Sequence, residues 1–230
     1  MKKNEVKALQ PTAEGYLYCM DHMLAGSEDS RFEGHNLIFQ DEIFNNAINR
    51  MKRMYNSAIS ENAEYSYRDE THLFNEGKLA IYINGVWGAP MISKQIDAKY
   101  ALLPTDGGES MSCISSGLGY VLGNSGNEEK EKAAVKFLKY MLSKKVQTKI
   151  LEKTEQIPAN PDISLESYKE SKSRLYQAAT LVLETDEKIE VPNNIWSAEQ
   201  KDYFIKTIFD VLTGTLSIQE FEENLENKQK

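Results

Sequence analysis

The stretch FNEGKLAIYINGVW, residues 74–87, decides how this chain is read. Phe74, Asn75 and Glu76 have the character of a helix end, and Gly77 is the glycine that stops it. Leu79 to Ile83 is β-branched and aromatic, which predicts a strand. Asn84-Gly85 then signals a turn, and Trp87 sits just past the strand end. A bulky aromatic carried out of a sheet on a turn can offer a flat apolar face to a ligand. A core tryptophan capping the sheet is the alternative.

Upstream of this stretch, Thr12 to Leu24 predicts a helix with Thr12 as N-cap and Gly26 as stop. The polar loop SEDSRFEGHN and a short apolar piece, Leu37–Phe39, follow. From Asp41, the residues Ile43, Phe44, Ala47, Ile48, Met51, Met54, Tyr55 and Ala58 recur at three- and four-residue intervals. That is the stripe of a core-facing helix. Ser60–Asp69 reads as a polar linker. Downstream, Tyr100–Pro104 predicts a short buried strand, Thr105–Ser112 a turn-rich loop, and Ile114–Leu122 a second strand region. Ala133, Ala134, Phe137, Leu138, Met141 and Leu142 mark an amphipathic helix, and Ser143 caps the next. Another helix is expected from Ser164 to Leu183. Ser197-x-x-Gln200 and Ser217-x-x-Glu220 fit the capping box that opens a helix, and Gly214 ends the first of these two. Helices outnumber strands, as in an α/β lobe whose helices cover a buried sheet.

The 230 residues are enough for one large or two small domains. A net charge of −8 argues against nucleic acid and anionic membranes as partners. No apolar run reaches the roughly 18 residues of a bilayer span. The start, MKKNEVKALQPTAEGY, is basic without a hydrophobic stretch behind it, so no signal peptide is expected. Catalytic and metal patterns are lacking. His22, His35 and His72 are scattered without ligand spacing, and Cys19 and Cys113 read as buried free thiols. Gly117-Leu118-Gly119 with Gly123 fits neither a P-loop nor GxGxxG. No cofactor and no metal are expected.

The pattern F-x-x-GK-x-A-x-x-ING-x-W resembles the signature of the sugar-binding subunits of bacterial ABC importers, family 1 of the extracellular solute-binding proteins, which includes maltose-binding protein. Three later segments keep the family's order. Ser116–Gly126 (SGLGYVLGNSG) with the helix Lys130–Leu142 resembles its strand, small-residue loop and "AAxxFLxYL" helix. Gln156–Asp162 (QIPANPD) resembles its crossover. Pro192-Asn193, the helical run to Gly214 and SIQEFEENL resemble its C-terminal helix pair. The likeness runs from about Pro11 to Leu225 and implies a type II periplasmic-binding-protein fold, two lobes joined by a hinge. Residues 1–113 and 163–230 would be second lobe, and 114–162 an insert into the first. Members are usually much longer and are exported, as periplasmic or lipid-anchored proteins, so a fragment of the C-terminal portion is expected.

The resemblance further implies a monomeric receptor, not an enzyme, that binds a sugar or oligosaccharide and delivers it to importer permease subunits. Its implied ligand residues are Trp87 as stacking platform, Glu14, Tyr16 and Tyr18 from the opening segment, and Asn193, Asn194 and Trp196 from a third loop. Where maltose-binding protein has a cleft tryptophan near that loop, this chain has Lys201. Such a set suits sugars, which present C–H faces to aromatics and hydroxyls to planar polar groups. A receptor for a non-sugar solute is one rival reading. Acids such as Glu14 would favour a cation, while Arg31, Arg50, Arg53 and Arg174 lie outside the cleft motifs. A carbohydrate-active enzyme is the other rival.

Overall fold

The computed structural model describes residues 6–9, 11–25, 42–58, 66–104, 111–114 and 119–228. The expected stop at Gly26, the loop to Asn36, Leu37–Phe39 and the segments 105–110 and 115–118 lie outside these. The chain divides into two compact units. Unit 1 is Met1–Asn84, Ile92–Ser115 and Thr185–Lys230, and unit 2 is Gly85–Met91 and Ser116–Glu184.

Unit 1 is built on two parallel strand pairs. Strand β1 (Lys7–Leu9) pairs with β2 (Leu79–Ile81), and β3 (Met111–Ile114) pairs with β4 (Glu187–Glu190) in the register Met111 to Glu187. The helices are α1 (Ala13–Ala25), α2 (Glu42–Ala58), α3 (Tyr67–Asn75), α7 (Ala198–Thr213) and α8 (Ile218–Asn227), with a 3-10 turn at Pro192–Ile195. The α2 stripe behaves as its spacing predicts: Phe44, Ala47, Ile48, Met51 and Tyr55 are buried. They join Tyr16, Met20, Phe204, Ile208, Phe221 and Leu225 in one core. Both expected capping boxes are present, and Gly214 takes the positive φ that ends α7. The first box also locks α7 to α8. Ser197 Oγ donates to the Lys228 carbonyl at 2.7 Å and Gln200 Nε2 to the Leu225 carbonyl at 3.0 Å, so two carbonyls at the end of α8 find partners.

Unit 2 contains α4 (Glu128–Met141), α5 (Lys144–Thr154), α6 (Ser173–Leu183) and 3-10 turns at Val86–Met91 and Leu165–Tyr168. Its buried side chains come from α5 (Val146, Gln147, Leu151) and α6 (Leu175, Ala178, Ala179), with Gly88 and Ala89. By contrast α4 buries none of its residues, and Phe137 is 55% exposed.

Several expectations are corrected. Tyr100–Pro104 forms no strand: Ala101 and Pro104 are exposed and the other three residues only half-buried. The strand lies later, at Met111–Ile114, where β4 supplies a partner, and Gly119–Leu122 is irregular and exposed. The linker Ser60–Asp69 ends early, because Ser66 and Asp69 form a capping box that starts α3 at Tyr67. The helix expected from Ser164 is broken by turns at 169–172. Compact packing also runs past Asp162 to Glu184, because α6 packs on the Val86–Met91 and Leu165–Tyr168 turns. The same packing groups the Trp87 turn with unit 2. Both cysteines are free, Cys19 buried and Cys113 half-buried.

Candidate functional site

In parallel α/β sheets ligands lie outside the carboxyl ends of the strands, where the chain turns into loops and helix starts. In unit 1 the exits are Pro11–Thr12 after β1, Tyr82–Asn84 after β2 and Val191–Asn194 after β4. Thr12 caps α1 by accepting from the Gly15 N–H at 3.1 Å, which fixes Glu14 in the first turn. Glu14 is half-buried and lines an open cavity of about 710 Å³ together with Tyr67, Arg68, Lys206 and Phe209. Lys206 is paired with Asp202 at 2.7 Å. Arg68 is a cavity residue that the sequence reading missed, because it lies in a stretch taken for linker.

The exit after β2 is held by a polar network. Asn84 Nδ2 donates to Tyr67 Oη at 2.7 Å and to Tyr82 Oη at 2.5 Å, and Tyr82 Oη lies 2.8 Å from Thr71 Oγ1. Phe74 stacks on the Tyr82 ring at 5.4 Å. Asn84 thus ties the strand exit to α3 rather than projecting freely.

Behind Glu14, α3 brings in Glu70, which is only 1% exposed. Burial pushes its pKa up to about 8, the neighbouring Glu14 charge adds to the rise, and hydrogen bonds from Thr12 oppose it. Asp21 is raised to about 7, again by burial, against the stabilising hydrogen bonds of Asn193 and the charge of Lys201. Each carboxyl therefore binds its proton more tightly folded than unfolded. Their contribution to stability is full below the unfolded pKa and is lost as pH rises through the folded one. Glu70→Gln keeps the acceptor for Thr12 and removes the titration. The variant should gain on the parent progressively between about pH 4.5 and pH 8, reaching on the order of 5 kcal/mol above that window. Urea melts of both proteins at a series of pH values give the difference, and a pH-independent difference would contradict the assignment to Glu70.

The sequence-predicted residues fall into four groups. Trp87, in unit 2, is 49% exposed, so the reading of it as a core residue is excluded. Glu14, Tyr18 and Asn194 in unit 1 are half-buried, and Asn194 Nδ2 donates to Glu190 Oε1 at 3.0 Å. Burial raises the Tyr18 phenol to about 12, with neighbouring Tyr67 and Glu14 adding to the rise. Tyr16 and Trp196 are corrections. Tyr16 is fully enclosed, its ring edge-on to Phe209 at 5.9 Å, and Trp196 is 5% exposed against Phe204 at 5.7 Å. Neither has a face to give a ligand. Glu14 and Tyr18 lie two positions to either side of Tyr16 and share a face of α1 that Tyr16 does not, so the helical register separates them. Asn193 is committed internally: its backbone N–H donates to Asp21 Oδ1 at 2.8 Å and its side chain to Asp21 Oδ2, pinning the 192–195 turn to α1.

Among the described residues no cluster of His, Cys, Asp and Glu is arranged to hold a metal, and no helix is long and apolar enough to cross a membrane. A solved structure of a Streptococcus pneumoniae solute-binding protein in complex with the blood group A-trisaccharide superposes with a TM-score of 0.79 at 23% identity. The match covers 98% of this chain and 59% of that one, so this chain spans about three-fifths of that protein's length. The fold is therefore of the type II binding-protein class. The model of the bacterial extracellular solute-binding proteins matches residues 11–179, and the chain belongs to that family. No match was found among curated proteins.

Proposed function

We propose that this protein binds a neutral oligosaccharide and delivers it to an ABC-type membrane importer, with Trp87 as the stacking platform. The observation that carries the reading is Trp87 itself. A large indole on the Val86–Met91 turn leaves about half its surface open to solvent, a flat apolar face available to a ligand. A sugar's C–H face matches that flat apolar surface. Glu14, Tyr18 and Asn194, half-buried polar groups of unit 1, are proposed separately as hydroxyl-binding residues of that unit. Unit 1 corresponds to the second lobe of the binding-protein fold in this reading, and Ser116–Glu184 to the insert from the first. The family places the protein outside the cytoplasm, and a lipid anchor at the cell surface is the form proposed here. The ligand of the pneumococcal protein, a trisaccharide, supports the sugar class. Calorimetric titration with neutral oligosaccharides, against a polyamine and a phosphorylated polyol, tests the reading. Saturable heat with a charged solute alone would favour the rival receptor, whose support is the charged lining of Glu14, Arg68 and Lys206. Release of sugar products would favour an enzyme.

A further inference from the structure

Gly85 precedes the Trp87 turn, and the usual reason for a glycine in such a place is a positive φ. That reason does not apply. The positive-φ glycines among the described residues are Gly77, Gly126 and Gly214, and Gly85 is not among them. Space explains Gly85 instead. A Cβ at this position would lie 2.2 Å from both Cη2 and Cζ3 of Trp87 and 2.5 Å from Cε3. Carbon atoms in contact sit about 3.5–4.0 Å apart, so no side chain, not even that of alanine, can coexist with the indole in this pose. The six-membered ring occupies the volume that glycine leaves empty.

The rest of the turn keeps this arrangement in place. Gly88 N–H donates to the Gly85 carbonyl at 2.9 Å, closing the turn from 85 to 88, and Gly88 and Ala89 are buried. The turn's base is thus fixed within unit 2, while the indole above it stays 49% exposed. A half-exposed tryptophan on a loop would ordinarily sample several rotamers. Here the indole lies against the backbone of Gly85.

We propose that Gly85 is a positioning residue: its missing side chain is the seat of the Trp87 ring and sets the orientation of the aromatic surface offered to a ligand. The ligand clause rests on the stacking role proposed above, whereas the seat itself can be tested without any ligand. The substitution for both tests is Gly85→Ala, alone and combined with Trp87→Ala.

Acrylamide quenching reports on the Trp87 indole, since of the two tryptophans only Trp87 is exposed, and near-ultraviolet circular dichroism compared with Trp87→Ala isolates its bands from those of buried Trp196. Gly85→Ala should change the tryptophan dichroism bands and raise the quenching constant of the accessible fraction at least two-fold, with the far-ultraviolet spectrum unchanged. Any loss of stability should disappear in the Trp87→Ala background, where the clash is absent. That arm remains decisive even if Gly85→Ala alone fails to fold, because the double variant should then fold. Titration with the blood group A-trisaccharide should show affinity reduced at least five-fold by Gly85→Ala, and no binding by Trp87→Ala either alone or combined with Gly85→Ala. Unchanged tryptophan spectra and quenching in Gly85→Ala would overturn the seat. A spectral change with undiminished affinity, while Trp87→Ala still abolishes binding, would overturn the positioning role. If the spectra change and neither variant alters binding, the seat is upheld and the stacking role of Trp87 fails.

Discussion

Replacing Phe204 by alanine is expected to destabilise unit 1 by about 3–5 kcal/mol, the largest effect of any single truncation considered for this chain. Phe204 is fully enclosed and is the hinge of an aromatic cluster. Its ring lies 5.7 Å from Trp196 and 5.7 Å from Phe221, and Phe221 in turn stacks on Tyr203 at 5.6 Å and Phe44 at 6.2 Å. These rings join α2, α7, α8 and the 192–195 turn, which come from distant parts of the chain. Truncation removes the transfer energy of the ring and leaves a cavity that four elements would have to move to fill. Chemical denaturation followed by far-ultraviolet dichroism measures the loss. Phe137→Ala is the control, since that ring is 55% exposed and lies on α4, which buries nothing. It should change stability by no more than about 0.5 kcal/mol. Comparable losses for the two variants would contradict the placement of the core.

Trp87→Ala is expected to remove sugar binding while leaving the stability of the chain nearly unchanged. A covered indole buries about 150–250 Å², worth about 4–6 kcal/mol gross at ~25 cal/mol per Å². Only the half that is open can be newly covered by a ligand, and ordering costs lower the gain further. At most about 2–3 kcal/mol remains, an affinity loss of up to roughly 30- to 150-fold. The exposed position predicts little effect on folding. Calorimetry of the variant with the ligand of the parent tests the first half, and a urea melt tests the second. Retained affinity would remove Trp87 from the site, and a large loss of stability would return it to the core.

The elements that were legible in the sequence share a physical property: their signals are local. The α2 stripe, the Ser197 and Ser217 capping boxes, the Gly214 stop and the Thr12 cap depend on residues within a turn or two of each other. Strands β1 and β4 were not legible. KAL and EKIE carry no alternation, and they are strands because a parallel partner distant in sequence pairs with them. YALLP shows the converse, apolar enough for a strand but without a partner among the described strands. The site divides in the same way. Exposure of Trp87 followed from its place after a turn, whereas burial of Tyr16 and Trp196 depends on Phe209 and Phe204 from α7. The use of Asn193 by Asp21 joins residues that nothing local connects. Arg68 was hidden by the polar composition around it, where a capping box begins a helix. Gly85 was read as a turn glycine, and only the position of the Trp87 ring reveals what its missing side chain does.

The proposed reading is that this chain recognises a neutral sugar through the exposed Trp87. Isothermal titration of the unmodified chain with the blood group A-trisaccharide and other neutral oligosaccharides, beside a polyamine and a phosphorylated polyol, tests it most directly. One half-open aromatic platform predicts saturable heat with at least one neutral oligosaccharide and a dissociation constant of about 1 mM, near −4 kcal/mol, with no heat from the charged solutes. Saturable heat from a charged solute and none from any neutral sugar would contradict it.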